Sequence, residues 1–391
     1  MQIGMLTTSY PRFDGDVAGV FVRGMARALA ARGHGVEVLA PRPLEGDAPP
    51  SDPGVRLGWV DYGAGLRTFY GAGVPDNVRD PRAWPGLVTF PRALLAEARD
   101  RVSGWDAVVS HWALPSALIA GAIRGERPHV AVLHSADVHL MARLPLSSRV
   151  AGRVGRSADE LWFASNALRK RFLHLLPAVP RARLASRAHA SAMGVELEAP
   201  SASRRALRER LRFDRFTIAS VGRLVPIKGL DHAIDAVGGD AGLELVLAGD
   251  GPAREALARR AARRRARIRF LGVRVGVDKA DLLAAADAFI APSVELSSGR
   301  TEGTPTAALE AALAGLPLVA SATGGLAELF DAESAWLVPP GDVGALRRAL
   351  RECALDPAAR AEKSAAAREI AEAFTWDVLA PRIEDLLERN R

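Results

Sequence analysis

The sequence predicts an α/β protein with two domains, each built on a parallel sheet. Apolar strands alternate with helical segments along most of the chain, and a strand–loop–helix unit near residue 2 has a counterpart near residue 216. With 391 residues, 49% of them hydrophobic and 25% charged, the chain is long enough for two cores and ordinary in composition. These observations favour two sheets that each bury their strands between helices.

The first half begins with a predicted strand over 2–8, a helix over 20–32 and a strand over 35–40. The segment 41–88 is rich in Pro, Gly and Asp and predicts long loops with one short strand over 56–60. Asp14-Gly15-Asp16 has the form of a metal-binding motif. Because no further carboxylates accompany it in this opening loop, it is better explained as a turn.

Two later strands of the first half end in histidine. After a helix over 91–103, strands are predicted over 107–110 and 130–133 with a helix over 115–124 between them, and His111 and His134 follow the strands. Asp137 stands three residues beyond His134. Carboxyl ends of parallel strands face the ligand crevice, so these three side chains are candidates for a site there. Structural hydrogen bonding is the alternative for each histidine.

The second half opens with a strand over 216–221, a loop over 222–229 and a helix from residue 230. Arg223 and Lys228 lie five residues apart in that loop, well placed to clamp a diphosphate. Ordinary surface cations are the alternative. Lysine is nevertheless rare here, since only four of the 52 basic residues are lysine, and this rarity favours a specific role for Lys228.

The stretch from Glu302 to Ser321 reads as loop, helix, turn and buried strand. Thr304 suits an N-cap, Pro305 suits the first helical position, and a strand is predicted over 316–320. Glu302 precedes the exposed amides of the helix, and Glu310 lies one turn inside it, so the pair could grip sugar hydroxyls on either side of a diphosphate. A glutamate that complements the helix dipole and a solvated glutamate one turn later are the alternative.

Glu302-x7-Glu310 within EGTPTAALEAALAGLPLVAS resembles the donor-site signature of the retaining GT-B glycosyltransferases, in particular family 4. GRLVPIKG at 222–229 is similar to the diphosphate loop of that family, and the resemblance covers nearly the whole chain. It implies a GT-B fold, two Rossmann-like domains facing a cleft. The acceptor domain would be 1–197, completed by a C-terminal helix over 376–391, and the donor domain would be 198–375.

The resemblance also implies residue roles. Glu302 would meet the transferred sugar, Glu310 the ribose, and His134 the sugar and phosphate. Catalytic candidates are His134, Arg223, Lys228 and Glu302. Donor-binding candidates are Gly19, Gly222, Arg223, Lys228, Val273, Arg274, Glu302, Gly303, Thr304, Pro305, Thr306, Leu309 and Glu310; acceptor-side candidates are His111 and Asp137. The chain departs from the family in having Ala18-Gly19 for a glycine pair, and Ala312-Leu313 where methionine is more frequent.

The implied reaction is transfer of a sugar, with retention, from a UDP- or GDP-linked donor to a glycan, a lipid-linked acceptor or a small molecule. No metal or other cofactor is expected, and the sequence offers no convincing glycosyl nucleophile. A non-hydrolysing sugar-nucleotide epimerase of the same architecture is the alternative. A nucleic-acid-binding protein is disfavoured, because the arginine-rich segment 254–269 lacks interleaved aromatic residues.

A lone cysteine, Cys353, and the lack of a signal-like or membrane-spanning segment predict a cytoplasmic protein. Residues 141–190 hold ten basic and two acidic residues together with several leucines, which the sequence predicts to be exposed. This pattern suits peripheral contact with an anionic membrane. A solvated helical face in an arginine-rich chain is the alternative.

Overall fold

The computed structural model describes residues 1–43, 49–63, 68–70, 77, 80–297, 299–303 and 306–391. Within them the chain forms two compact units. Unit 1 comprises Met1–Gly194 and Trp376–Arg391, and unit 2 comprises Val195–Thr375. The sequence predicts this boundary three residues later, at 197/198.

Unit 1 is built on a seven-stranded sheet in which every strand pair is parallel, with the order β3-β2-β1-β4-β5-β6-β7. The strands are β1 Gln2–Leu6, β2 Gly35–Pro41, β3 Val55–Val60, β4 Ala107–His111, β5 His129–Leu133, β6 Glu160–Phe163 and β7 Ala188–Ala190. Strands β4 and β5 are buried along their whole length, which explains their unbroken apolar runs.

Eight α-helices cover this sheet in the described part of unit 1. They are α1 Val20–Ala31, α2 Trp84–Arg101, α3 Leu118–Ile123, α4 Ser135–Met141, α5 Ser147–Ser157, α6 Asn166–His174, α7 Ala178–Ala185 and α16 Trp376–Arg389. The last of these returns from the far end of the chain and buries Leu379, Ile383 and Leu387 in the unit 1 core. Gly24 on α1 accommodates the indole of Trp376, since a Cβ there would lie 2.2 Å from the indole Nε1.

Unit 2 carries a six-stranded parallel sheet in the order β10-β9-β8-β11-β12-β13. Its strands are β8 Phe216–Val221, β9 Leu243–Ala248, β10 Ile268–Gly272, β11 Ala288–Ala291, β12 Leu318–Ser321 and β13 Trp336–Val338. Its helices are α8 Arg204–Leu211, α9 Leu230–Val237, α10 Arg254–Arg264, α11 Gly276–Ala285, α12 Thr306–Leu313, α13 Gly324–Leu329, α14 Val343–Leu355 and α15 Pro357–Glu372.

Both sheets share one topological feature that positions a ligand site. The strand order reverses between β1 and β4 in unit 1 and between β8 and β11 in unit 2. Loops that leave such neighbouring strands diverge to opposite faces and open a crevice at the carboxyl edge of the sheet. The loops after β8 and β11 contain Lys228 and Glu302, and the loop after β4 begins at His111.

The structure corrects the expectation for residues 141–190. Leu173 and Leu176 are among the leucines predicted to be exposed, but together with Phe172 they belong to the unit 1 core. They are buried because this stretch folds into α5, α6, β6, α7 and β7, whose inner faces close one edge of the sheet. Leu146, which is 63% exposed, does stand in solvent as expected. No helix in the described ranges is both long and apolar enough to cross a membrane.

Candidate active site

Three loops of unit 2 meet backbone to backbone at the carboxyl edge of its sheet. The amide of Gly222 donates to Ala248 O at 2.9 Å, and that of Leu224 donates to Asp250 O at 2.9 Å. A Cβ on Gly249 would lie 1.9 Å from Gly222 O, so this approach requires glycine there. The loop that carries Arg223 and Lys228 is therefore held firmly by the loop after β9.

The same loop is held on its other side by the segment after β11. Lys228 ends a short 3₁₀ turn, Pro226–Lys228, and Gly229 follows with φ +60°. A Cβ on Gly229 would lie 2.0 Å from Pro292 O, and the amide of Val294 donates to Ile227 O at 2.9 Å. The two loops flanking the switch point of unit 2 are thus joined where Lys228 projects.

Glu302 is brought directly to Lys228, with which it forms an ion pair. Its second carboxylate oxygen accepts a hydrogen bond from Ser293 Oγ at 2.5 Å. The backbone around it is fixed by α13, because Gly325 donates to Gly303 O at 2.9 Å and a Cβ on Gly324 would lie 2.2 Å from Glu302 O. Of the predicted residues nearby, Thr304 and Pro305 lie outside the described residues.

Glu310 has a lysine partner of its own. Lys279, in the first turn and a half of α11, donates from Nζ to Glu310 Oε1 at 2.8 Å. The Glu310 side chain is 12% exposed, and burial raises the pKa of its carboxyl group while the Lys279 ammonium lowers it. Two of the four lysines of the chain are therefore engaged by the two glutamates of the Glu302-x7-Glu310 motif.

The remaining predicted donor residues fall into two groups. Arg223 and Val273 are exposed, and Arg274 pairs with Asp278 at 3.2 Å. Thr306 is half-buried at the start of α12, whereas Leu309 is fully buried and supports that helix from the core. Sequence reasoning missed Lys279 and Ser293. The rarity of lysine was a usable signal for Lys279, while nothing in the local pattern distinguished Ser293.

In unit 1 the structure brings His111 and His134 together. His111 Nδ1 and His134 Nε2 are 3.3 Å apart, and the rings stack with centroids separated by 5.5 Å. Phe21 and Trp112 pack around His134 at centroid distances of 4.6 and 4.9 Å. Burial lowers the pKa of His134 to about 3 and, together with His134, lowers that of His111 well below its usual value. Both rings are therefore neutral at physiological pH, and one donates to the other.

Asp137 braces the same region. Its carboxylate accepts hydrogen bonds from the amide of Ala113 at 2.7 Å and from that of Val138 at 2.8 Å, which ties α4 to the loop after β4. Burial raises its pKa to about 7. Trp112 at the turn has φ +70°, a conformation that a bulky residue adopts only when its surroundings impose it.

The opening loop of unit 1 is closed by Asp16 and Gly19. Asp16 accepts from Arg12 Nε at 2.6 Å and from the amide of Ala18 at 3.1 Å, so Asp14-Gly15-Asp16 forms a turn. Gly19 has φ +66°, and a Cβ there would lie 2.4 Å from Ser9 O. Across the described ranges, no cluster of three or more His, Cys, Asp or Glu side chains could hold a metal ion.

In comparisons with known proteins, two family models match most of the chain. Residues 18–186 match the model of Glycosyltransferase Family 4, and residues 215–356 match that of Glycosyl transferases group 1. D-inositol 3-phosphate glycosyltransferase of Xylanimonas cellulosilytica is 31% identical over 98% of this chain and 96% of its own length. A GDP-mannose-dependent alpha-(1-6)-phosphatidylinositol monomannoside mannosyltransferase of Mycobacterium tuberculosis is 29% identical over 99% and 98%.

Among solved structures, sucrose-phosphate synthase of Thermosynechococcus elongatus superposes with a TM-score of 0.77. The two chains are 22% identical, and the match covers 100% of this chain and 99% of that one. The likeness confirms the predicted GT-B fold with two Rossmann-like domains.

Proposed function

Because this chain belongs to glycosyltransferase family 4, we propose that it transfers a sugar, with retention of anomeric configuration, from a nucleotide diphosphate sugar to an acceptor hydroxyl. The observation that carries the proposal is the pairing of both motif glutamates with lysines, Glu302 with Lys228 and Glu310 with Lys279. Unit 2 would hold the donor, and unit 1 would receive the acceptor.

The ion pairs suggest how the donor is taken up. Without donor, Lys228 neutralises Glu302. A donor diphosphate would compete for the Lys228 ammonium, and the carboxylate of Glu302 would then accept hydrogen bonds from hydroxyls of the transferred sugar. Glu310, beside Lys279, would accept hydrogen bonds from the ribose hydroxyls. Glu302 would exchange Lys228 for hydroxyls of the sugar while Lys228 pairs with the diphosphate, and Glu310 would keep Lys279, so no buried charge is left unpaired.

In the reaction the bond from the anomeric carbon to the diphosphate oxygen breaks, and the acceptor oxygen bonds to that carbon on the same face. Negative charge grows on the leaving diphosphate, where Arg223 and Lys228 would stabilise it without a metal ion. The acceptor proton would pass to a phosphate oxygen. His134 is neutral because of its burial, so it would contribute a hydrogen bond rather than a positive charge.

A thermal-shift screen with GDP, UDP, ADP and the sugars linked to these nucleotides tests the donor proposal. A ligand at 100 times its Kd should stabilise the chain by about 2.7 kcal/mol. GDP-mannose is the first donor to try, because the mycobacterial relative depends on it. If no nucleotide stabilises the protein, the proposal fails. If a nucleotide sugar is epimerised without acceptor, the epimerase alternative is correct. The anomeric configuration of the product, read by NMR, tests retention.

The acceptor could be presented at an anionic membrane surface, as proposed from the charge of residues 141–190. Arg149, Arg153 and Arg156 are exposed, and their spacing of four and three residues places them on one face of α5, with the exposed Leu146 just before it. Arg169 is unsuitable for testing this idea, because its guanidinium donates to Ala188 O at 2.6 Å.

Vesicle co-sedimentation therefore uses the triple change Arg149→Glu, Arg153→Glu and Arg156→Glu. Each cation near an anionic surface contributes about 1 kcal/mol, so the variant should lose salt-sensitive binding to anionic vesicles. The matched control changes Arg254, Arg259 and Arg263 of α10 to Glu. Equal loss in both variants, or no preference for anionic over neutral lipid, would favour a soluble acceptor.

A further inference from the structure

A cavity of about 900 Å³ in unit 2 lies at the edge of the sheet opposite the candidate active site. Phe213 and Asp214 precede β8, Glu244 is the second residue of β9, and Arg267 and Arg269 flank the start of β10. The rest of the lining comes from α8 and its C-terminal end. Because β8–β10 are five or six residues long, roughly 17–20 Å of strand separates this cavity from the loops at the other edge.

The lining has an excess of positive charge. It contains six arginines and three acidic residues: Arg204, Arg205, Arg208, Arg212, Arg267, Arg269, Glu209, Asp214 and Glu244. Arg208 pairs with Asp287 at 2.8 Å. Asp287 lies outside the cavity and also pairs with Arg204. Among the residues that the structure describes, Arg205 pairs only with Glu209, and because both side chains are well exposed that interaction is weak.

Arg212 and Arg267 are two of the arginines that line the cavity. Both are exposed, and neither forms an ion pair with a carboxylate of the residues described. They come from different elements, Arg212 from the end of α8 and Arg267 from the residue before β10. Arg212 has φ +53°, a backbone region where glycine or asparagine usually ends a helix, so a long cationic side chain there costs about 1 kcal/mol.

Arg269 and Glu244, which also line the cavity, are held in place by their neighbours. Arg269 donates to Leu211 O at 2.8 Å, its guanidinium lies 4.6 Å from the ring centroid of the buried Phe213, and its Nε is 3.3 Å from Glu244. Glu244 is only 6% exposed. Part of the cavity lining is therefore already ordered, and a ligand need not order it on binding.

We propose that this cavity is a second anion-binding site, which takes a small phosphorylated molecule carrying at least two negative charges. Guanidinium groups bind phosphate oxygens in a bidentate manner, and Arg212 and Arg267 supply two such groups from separate elements. The volume falls in the range of small-molecule sites. This inference concerns unit 2 alone and does not rest on sugar transfer.

Isothermal titration calorimetry with inorganic pyrophosphate tests the proposal. Pyrophosphate is also expected to reach the loop of Arg223 and Lys228, so the measurement is made in full-length protein carrying Lys228→Met. Binding should persist in that background and weaken at least tenfold when Arg212→Glu and Arg267→Glu are added. Arg259→Glu with Arg263→Glu, the same change of charge on the exposed face of α10, should alter Kd less than twofold.

Arg212→Gly with Arg267→Ala separates binding from folding. Glycine favours the left-handed backbone at position 212, so this variant should keep its Tm while losing pyrophosphate binding. Loss of all binding with Lys228→Met alone would assign the anion to the donor loop and overturn the proposal. Equal weakening by the α10 control would overturn it too, as a general charge effect.

Discussion

Lys279→Met is the most informative single change, because it leaves the Glu310 carboxylate buried without its cation. At 2.8 Å and an effective dielectric constant near 20, the gross attraction of this pair is about 6 kcal/mol. Lost hydration of the two groups cancels roughly half of that. The Lys279 side chain is 20% exposed and that of Glu310 is 12% exposed, so the pair is not fully buried. We therefore expect Lys279→Met to lower the free energy of unfolding by about 3 kcal/mol, at the low end of the range for broken buried pairs.

The pH dependence of this loss has a definite sign. Burial raises the pKa of Glu310 and Lys279 opposes that rise, so removing the lysine raises the pKa further. A folded state that binds the proton more tightly than the unfolded state loses stability as pH increases through the raised pKa. The destabilisation in Lys279→Met should therefore be smaller at pH 5 than at pH 8, measured by denaturant unfolding at both values.

Donor binding should show the opposite trend. Only the ionised carboxylate accepts hydrogen bonds with both oxygens, so at low pH the variant should bind donor at least tenfold more weakly than the unaltered chain. The difference should shrink as pH rises. Lys279→Arg keeps the charge and should restore most of the affinity, and Lys363→Met, on α15, is the control for losing a lysine elsewhere. Donor affinity that is unchanged, or that falls with rising pH only in the variant, would refute the reasoning.

Three further predictions concern the same edge of the unit 2 sheet. Glu310→Ala should raise the donor KM while Glu302→Gln mainly lowers kcat, and negligible effects of both on steady-state kinetics would contradict the two roles. Lys228→Ala should lower kcat/KM about thirtyfold, roughly 2 kcal/mol, with activity that survives excess chelator; restoration by manganese after chelation would instead indicate a metal. Gly324→Ala should displace the Glu302 segment, because its Cβ would lie 2.2 Å from Glu302 O; kcat equal to that of Gly341→Ala, where φ is +79° but an added Cβ meets no atom within 4 Å, would show that the contact is unimportant.

Much of the fold followed from local patterns. Strand β8 begins and ends where its apolar run predicts, since its four central residues are buried and it lies between Arg215 and Gly222. Helix α2 was harder, because it begins at Trp84 and carries Pro91 in its interior, whereas a proline normally marks the start of a helix. The exposure of Leu173 and Leu176 was misjudged for a different reason: short elements there mix basic and apolar residues on faces that only tertiary packing distinguishes.

The site was predictable where residue identity carries the chemistry. The stretch around Glu302 and the loop with Lys228 were assigned from motif and residue type, and their meeting follows from adjacent strands at a switch point. Lys279 and Ser293 could not be placed, because their contacts with Glu310 and Glu302 cross 31 and 9 residues of chain and depend on the registers of different elements. Gly249 and Gly324 could not be assigned for the same reason, since each glycine is required by a backbone neighbour that is remote in sequence.

The scarcity of lysine gives this chain an unusual experimental property. Reductive methylation with a carbon-13 label marks amines only, so four side chains and the N-terminus would report on a protein of 391 residues. Lys228 and Lys279 are held by carboxylates, whereas Lys170 is exposed on α6 and Lys363 on α15 lies over the Trp336 ring. A substrate that replaces Glu302 at Lys228 would shift one resonance and leave those of Lys170 and Lys363 in place. The arginine-rich background, silent in such spectra, makes the donor loop directly observable in solution.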